Sequence, residues 1–307
     1  MRVILDCDTG TDDAVAIMLA ALHPDLELLG VSTVWGNHDV RHTTDNTLRV
    51  LDYVGRGDLP VHAGANGPYA GRPVPLPSGR ADLPTVLPLP DPVSRVRPEP
   101  AVEWLVETLH ATTQPVAVVA TGPLSNLAAA LAADPGIADA LDPLVVMGGT
   151  HRRAGVTRWA ERNLWCDPAA AAAVVGSSVE HLVMVGMDAT FAVPLDQDDA
   201  DALAALGTPA GGLTARLVRE RIEWYRRDDE MARLGAAPLH DPLAVAHLVA
   251  PELLALHHAS CQVETEELGR LGQTRYDVGR GGGRLRVALG ADRDTYLDVL
   301  ISALSLG

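Results

Sequence analysis

The chain contains no lysine: all 24 of its basic residues are arginines, set against 40 acids, for a formal net charge of −16. Without a lysine there is no side-chain amine to form a Schiff base. So acidic a balance argues against nucleic acid, or an anionic membrane, held by a general electrostatic footprint. Cysteine is scarce as well. Cys7, Cys166 and Cys261 are odd in number and far apart, which suggests a reducing compartment and neither a disulfide framework nor a zinc knuckle. No apolar run reaches about 18 residues, and no charged-then-apolar leader precedes the first strand. The expectation is a soluble, cytoplasmic protein.

What the chain does have is apolar substance and a concentrated patch of acids. Hydrophobic residues make up 47% of the 307 positions, enough for one large α/β domain or two smaller ones. After Val3-Ile4-Leu5 comes Asp6-Cys7-Asp8-Thr9-Gly10-Thr11-Asp12-Asp13, followed by a helical pattern from Ala14 to Leu22. That order reads as strand, tight turn, helix. Alternation along the strand sends Asp6 and Asp8 to one side and Cys7 to the other, with Asp13 in the helix's first turn. A turn cap and a helix-dipole partner account for one or two of these acids, not for four within eight residues. Carboxylates so crowded take up protons unless a cation offsets their repulsion. With no histidine or cysteine pair nearby, oxygen ligands favour Ca2+ or Mg2+ over Zn2+.

Strand and helix then alternate. Strands are expected over Leu26 to Val34, around Val61, over Val116 to Ala120, Leu144 to Met147 and Leu182 to Val185. Helices are expected over His38 to Val54, 99–112, Leu127 to Ala133 and the Ala-rich run after Asp167-Pro168. This βαβα repetition predicts an α/β fold with a doubly wound, mostly parallel sheet flanked by helices. The active site belongs at the carboxyl ends of its strands. The Pro- and Gly-rich stretch 64–100 reads as a functional loop or lid. Helices dominate from about Asp198 to Val249. Shorter strands follow near Leu256–Val263, Thr274–Val278 and Arg284–Val287, with a closing helix from Arg293.

Three further places carry chemistry or a structural equivalent. Asn37 ends the second strand and serves either the acid cluster or only its own turn. Glu161-Arg162-Asn163 lies in a loop ahead of Asp167-Pro168 and is a weak signal alone. In His240-Asp241-Pro242, Asp241 reads as a helix N-cap with Pro242 in the first turn, or else as a metal ligand beside a proton donor.

In order and spacing these motifs resemble the nucleoside hydrolase family of the inosine-uridine preferring type. The resemblance spans essentially the whole chain. Its opening signature Asp-x-Asp-x-Gly-x-Asp-Asp-Ala is met by residues 6–14, with Thr9 where proline is common. Val34-Trp35-Gly36-Asn37, Thr121-Gly122-Pro123-Leu124-Ser125-Asn126, Met147-Gly148-Gly149, Glu161-Arg162-Asn163 and His240-Asp241-Pro242 follow in register.

The resemblance implies a single domain over residues 1–307 that binds one Ca2+ and hydrolyses the N-glycosidic bond of ribonucleosides. It implies metal ligation by Asp6, Asp8, Asp13, Asp241 and the backbone carbonyl of Thr121. Ribose would be held by Asp12, Asn37, Glu161, Asn163 and the backbone at Met147. Asp8 would be the base that activates water and His240 the acid for the leaving base, as the passage through a ribosyl cation requires. A homo-oligomer, tetramer or dimer, is implied as well. Two departures concern the pocket wall: Ser78, in the loop Ser78–Leu83, stands where many relatives carry a histidine, and Arg162 where they usually carry an aromatic. Trp224 and Tyr225 are candidates to stack on a base.

Two other readings share the first motif. A haloacid-dehalogenase-type phosphatase using Mg2+ also begins Asp-x-Asp after a strand, but that class normally needs a lysine. A non-catalytic Ca2+-dependent nucleoside or ribose sensor would keep the site and lose the chemistry.

Overall fold

The computed structural model describes residues 1–71, 85–279 and 284–307; the expected Ser78–Leu83 loop lies outside them. The aliphatic runs form nine strands among these residues. They are β1 (Arg2–Cys7), β2 (Glu27–Thr33), β3 (Val61–Ala63), β4 (Val116–Ala120), β5 (Leu141–Met147), β6 (Leu182–Val185), β7 (Leu254–Val263), β8 (Thr274–Val278) and β9 (Leu285–Ala291). They make one sheet in the order β3-β2-β1-β4-β5-β6-β9-β7-β8. Neighbours from β3 through β9 run parallel, while β7 is antiparallel to both β9 and β8. The mostly parallel α/β sheet is therefore as expected.

Side-chain alternation builds a core on each face. Val3, Leu5 and Cys7 of β1 join Ala117 and Val119 of β4 on one side, while Ile4, Val116, Val118 and Ala120 point to the other. Strands covered on both faces read as continuous apolar runs, which is why these lack a polar alternation. Each fully buried aliphatic side chain contributes roughly 1.5–3 kcal/mol.

β1 lies between β2 and β4. The chain leaves β1 in one direction through the helix Thr11–Leu22 to β2, and returns much later on the other edge as β4. A crevice opens where the winding reverses, at the carboxyl ends of β1 and β4. The helix Thr11–Leu22 starts three residues before the expected Ala14, because the Asp13 carboxylate takes the Gly10 N–H at 2.9 Å and closes the first turn. Residues 11–21 are all buried. A helix apolar all round needs cover on every side, and this one packs against the sheet and against the helices Pro209–Tyr225, Asp241–Val249 and Arg293–Leu304.

Other boundaries moved for local reasons. The helix expected from His38 is Val40–Tyr53, capped by the Asp39 side chain on the His42 N–H. The helical stretch after Asp198 divides into Gln197–Ala204, Pro209–Tyr225, Asp229–Leu234 and Asp241–Val249, with Gly235 in the left-handed conformation (φ 62°) ending the third. Of the stretch expected as a lid, residues 64–71 and 85–100 hold no helix or strand beyond a bridge from Arg97 to His62. Among the described residues no helix is long and apolar enough to cross a membrane.

Candidate active site

The floor of the crevice is acidic. Asp6 is the last residue but one of β1, Asp8 follows the strand, Asp12 and Asp13 occupy the first turn of the helix Thr11–Leu22, and Asp241 opens the helix Asp241–Val249. Buried carboxylate oxygens of Asp12, Asp13 and Asp241 lie within 4.8 Å of one another. Thr121, just past β4, holds Asp13 through its hydroxyl (2.8 Å) and anchors its own backbone on the Asp6 carbonyl (2.8 Å). Asn37 ties the set together: its backbone N–H donates to Asp8 Oδ2 (2.6 Å), and its amide to the Asp8 carbonyl (3.1 Å) and Asp13 Oδ2 (3.4 Å). Gly36 is required for this approach, since it sits at φ +155° and a Cβ there would come within 2.2 Å of Asp8 Oδ2.

Asp8 lies outside this close trio, and so does Asp6. Its Oδ1 accepts from Ser32 Oγ and Asn126 Nδ2, both at 2.7 Å, and its Oδ2 is buried without a hydrogen-bond partner. The second of those donors also bonds the Thr33 carbonyl (3.0 Å) and, through Asn126 Oδ1, the Ala65 N–H (2.8 Å). Asp6 thus braces the loop after β3 against β2.

Burial and mutual repulsion push protons onto these acids. Burial, then the charge of Asp13, drives Asp8 well above the usual carboxylate range. Burial, then Asp12, raises Asp13 to about 6, and burial with the charges of Asp12, Asp13 and Asp8 raises Asp241 further. Burial also lifts Asp6 to about 6 against its two hydrogen bonds. Asp12 goes the other way. Burial opposes its charge, but the Arg221 guanidinium at 3.2 Å and the neighbouring His240 hold it below the usual range. Buried oxygen donors crowded to the point of protonation fit a hard divalent cation, which would remove the repulsion.

A cavity of about 420 Å³ rises from this floor. Asp8, Asp12, Asn37, Thr121, Met147, Glu161, Asn163, His240 and Asp241 all line it, while Asp6 and Asp13 lie beneath. At one end, Glu161 proves to be the N-cap of a short helix, Arg162–Cys166, and not part of a loop. It accepts from the N–H groups of Asn163 (2.8 Å), Gly149 and Leu164 (both 3.2 Å). Burial nevertheless raises its carboxyl. The Asn163 amide bridges the carbonyls of Thr121 (2.7 Å) and Met147 (3.1 Å). With both amide hydrogens committed, Oδ1 remains to accept from a ligand hydroxyl.

At the other end, His240 has both ring nitrogens engaged: Nδ1 with the Thr190 hydroxyl and Nε2 with the Tyr225 hydroxyl, each at 2.8 Å. Burial, then the charge of Arg221, pushes it down to about 3, so the ring is neutral near pH 7. Phe191 packs 5.5 Å from its ring and 5.9 Å from that of Tyr225, and the Arg153 guanidinium lies 4.0 Å over Phe191. Trp224 stands edge-on to Tyr225 at 4.9 Å, and both line the cavity. These are the aromatic surfaces a base would need.

Thr190, Phe191 and Arg221 were not foreseen. Nothing in the local sequence marks Thr190 or Phe191, which sit in a short turn of helix after β6. Arg221 did leave a trace, being a charge on the stripe that buries Leu217 and Val218. A buried arginine on an apolar face calls for a buried acid, and Asp12 is that acid.

The model of the inosine-uridine preferring nucleoside hydrolases matches residues 3–298. A pyrimidine-specific ribonucleoside hydrolase, RihA, of Shewanella baltica is 35% identical, covering 99% of this chain and 96% of its own. Among solved structures, a purine-preferring ribonucleoside hydrolase from Gardnerella vaginalis superposes with a TM-score of 0.86 at 29% identity, over 99% of this chain and 98% of its own. A plant nucleoside hydrolase does so with a TM-score of 0.86 at 26% identity, over 100% and 99%. With the matched residues running through every part of the cavity just described, the chain belongs to the inosine-uridine preferring nucleoside hydrolase family.

Proposed function

We propose that this protein hydrolyses the N-glycosidic bond of ribonucleosides in a Ca2+-dependent reaction, releasing free base and ribose. The observation that carries this reading is one cavity with crowded, buried carboxylates at its floor, polar sugar-sized partners at one end and an aromatic wall around His240 at the other. Asp6, Asp8, Asp13, Asp241 and the Thr121 carbonyl would hold the cation, Asp6 through the buried Oδ2 that no hydrogen bond occupies, with Asp12 at its edge. Asn126 and Ser32 fix the Asp6 carboxylate in place through its Oδ1. When bound, the cation supplies a template for the ribose diol and a lowered pKa for water.

The protein's own groups divide the remaining work. Asp8, held by the Asn37 N–H, takes the proton of the attacking water. Asp12 and Glu161 favour positive charge as it develops on the sugar. The Tyr225 hydroxyl would protonate the leaving base and take a proton in turn from His240 Nε2. Nδ1 gains one from solvent by way of the Thr190 hydroxyl, so that the ring stays neutral and acts as a relay. The proton left on Asp8 by the attacking water returns to solvent. Since His240 sits near 3, no step in the rate near pH 6.5 should come from it.

Replacing it tests the leaving-group role. His240→Ala should lower kcat/KM for inosine and uridine by about 10²–10⁴-fold, and for p-nitrophenyl riboside, whose leaving group needs no proton, by far less. Equal losses on all three would remove His240 from that role.

The metal is tested on the folded protein. In the metal-free state, raised carboxyls such as Asp13 bind protons more tightly folded than unfolded, so stability falls as pH rises from about 4 toward 6. A cation removes that cost only where the ligands are ionised. Adding Ca2+ after chelation should therefore raise Tm clearly at pH 7.5 and much less at pH 5, and restore sugar release. An equal shift at both values, or turnover unaffected by chelation, would refute the assignment.

A further inference from the structure

Two stretches of chain far apart in sequence line the cavity: Gly155 and Val156, in the loop after β5, and Tyr225 and Asp228, where the helix Pro209–Tyr225 ends. Arg153 joins them. Its Nη2 donates to Glu230 Oε2 at 2.7 Å, in the short helix Asp229–Leu234 that Asp228 caps. Its own loop is moored beside the aromatic wall. The N–H groups of His151 (2.6 Å) and Arg152 (3.0 Å) donate to the carboxylate of Asp188, just ahead of Phe191 in the chain, and the Arg153 N–H donates to Thr150 Oγ1 (3.2 Å).

The same guanidinium lies 4.0 Å over the ring of Phe191, the one phenylalanine in the chain. Phe191 is buried and lines the cavity, whereas neither Arg153 nor Glu230 does. The cation therefore backs the ring and leaves its cavity side to a ligand. A planar guanidinium stacked on a ring and hydrogen-bonded at its edge to a carboxylate is fixed in two directions at once. Phe191 passes that order on to the rings of His240 and Tyr225, which it touches.

The side chains of Arg153 and Glu230 are 28% and 52% exposed. An ion pair so open adds little to the stability of the whole fold. What it fixes is local: where Phe191 stands, and how the helix Asp229–Leu234 sits against the loop after β5. On the reading given above, the sugar lies over the acidic floor and the base against Phe191, Tyr225 and His240, so this contact belongs to the base end alone.

We propose that Arg153 positions Phe191 for the leaving base and that Glu230 holds Arg153 in that place, so that the pair sets affinity for the base and not for the sugar. This rests on the hydrolase reading above and deepens it. Both are positioning residues, acting through the Phe191 ring.

The test measures kcat and KM for inosine and uridine, and ribose binding by calorimetry, in native protein, Arg153→Met, Arg153→Lys and Glu230→Gln. Arg153→Met should raise KM for both nucleosides by about 5–20-fold, the size of a partly buried cation–π contact, with kcat within about threefold of native. Ribose, bound at a separate end, should keep its affinity to within about twofold. Arg153→Lys should retain part of the base affinity, since an ammonium also attracts a ring, and Glu230→Gln should raise KM in the same direction by less. Both substrates are uncharged, so salt acts on the protein: native KM should rise with added NaCl, and that of Glu230→Gln should rise less. If Arg153 works by way of the ring, adding Arg153→Met to Phe191→Leu should raise KM no further.

An unchanged KM in Arg153→Met would overturn this proposal and leave the hydrolase reading standing; no base release from either nucleoside by native protein would overturn both. Ribose affinity that fell as far as KM rose would make Arg153 a support for the whole site, against the proposal, and so would additive losses in the Phe191→Leu double variant. A fall in kcat with KM unchanged would tie Arg153 to the proton relay and overturn it too. A native KM in Glu230→Gln would strip Glu230 of its part.

Discussion

Asp8→Asn is expected to lower kcat for ribonucleosides by about 10³-fold or more, because it removes the group that accepts the water's proton. The substitution keeps the shape of the side chain and one oxygen for the Asn37 N–H, now 2.6 Å away. Folding should therefore change little. Asn retains a neutral oxygen donor, so Ca2+ binding should weaken without disappearing, and KM should move far less than kcat. A variant with near-native kcat would strip Asp8 of its role. A variant that lost all Ca2+ binding would show that Asp8 acts mainly as a ligand.

Arg221→Met should produce the largest loss of stability among single substitutions in the site. Arg221 and Asp12 are both almost wholly buried, at 3.2 Å. The guanidinium also bonds the Pro238 carbonyl (2.9 Å) and Thr11 Oγ1 (3.1 Å), joining three separate segments. Removing one partner of a buried pair leaves the other charge without compensation, at a cost of about 3–5 kcal/mol. For a chain of this size that is a fall in Tm of about 5–8 °C. Activity should fall too, since Asp12 would take up a proton and lose its charge toward the sugar. The double variant Asp12→Asn/Arg221→Met separates the two effects: it should recover much of the stability and none of the activity. A single variant that melts within 1–2 °C of the native protein would show that the pair is not a structural clamp.

The acid cluster illustrates what short-range sequence can and cannot decide. Asp6-Cys7-Asp8-Thr9 alone suits a phosphatase as well as a nucleoside hydrolase; the later motifs in order, and the family match over residues 3–298, separate them. The strand-turn-helix pattern placed Asp8, Asp12 and Asp13 correctly at the strand's end, because period and turn chemistry are local. It did not show that Asp6 would spend its Oδ1 on Ser32 and Asn126. Those partners lie 26 and 120 residues away, and only the sheet register, which sets Asp6 beside Ser32 and Ala120, brings them near. Asn37 had an even claim to turn or site, and its three hydrogen bonds to Asp8 and Asp13 join it to the site. In the sequence Glu161 reads as a loop residue, because the five-residue helix it caps carries too little periodicity to be seen.

From the amino-acid order alone came the alternation of strands and helices, the parallel sheet, the acids gathered at its carboxyl edge and the family resemblance. Each follows from contacts within a few residues or from motifs in series. The tertiary structure decided which acids share one small volume, that Arg221 holds Asp12 ionised, that burial keeps His240 neutral between Thr190 and Tyr225, and that the charge of Arg162 reaches Asp8 as well as its chain neighbour Glu161. Such properties depend on distance and burial between segments far apart in the chain, and charge acts through space between buried groups whatever the sequence separation.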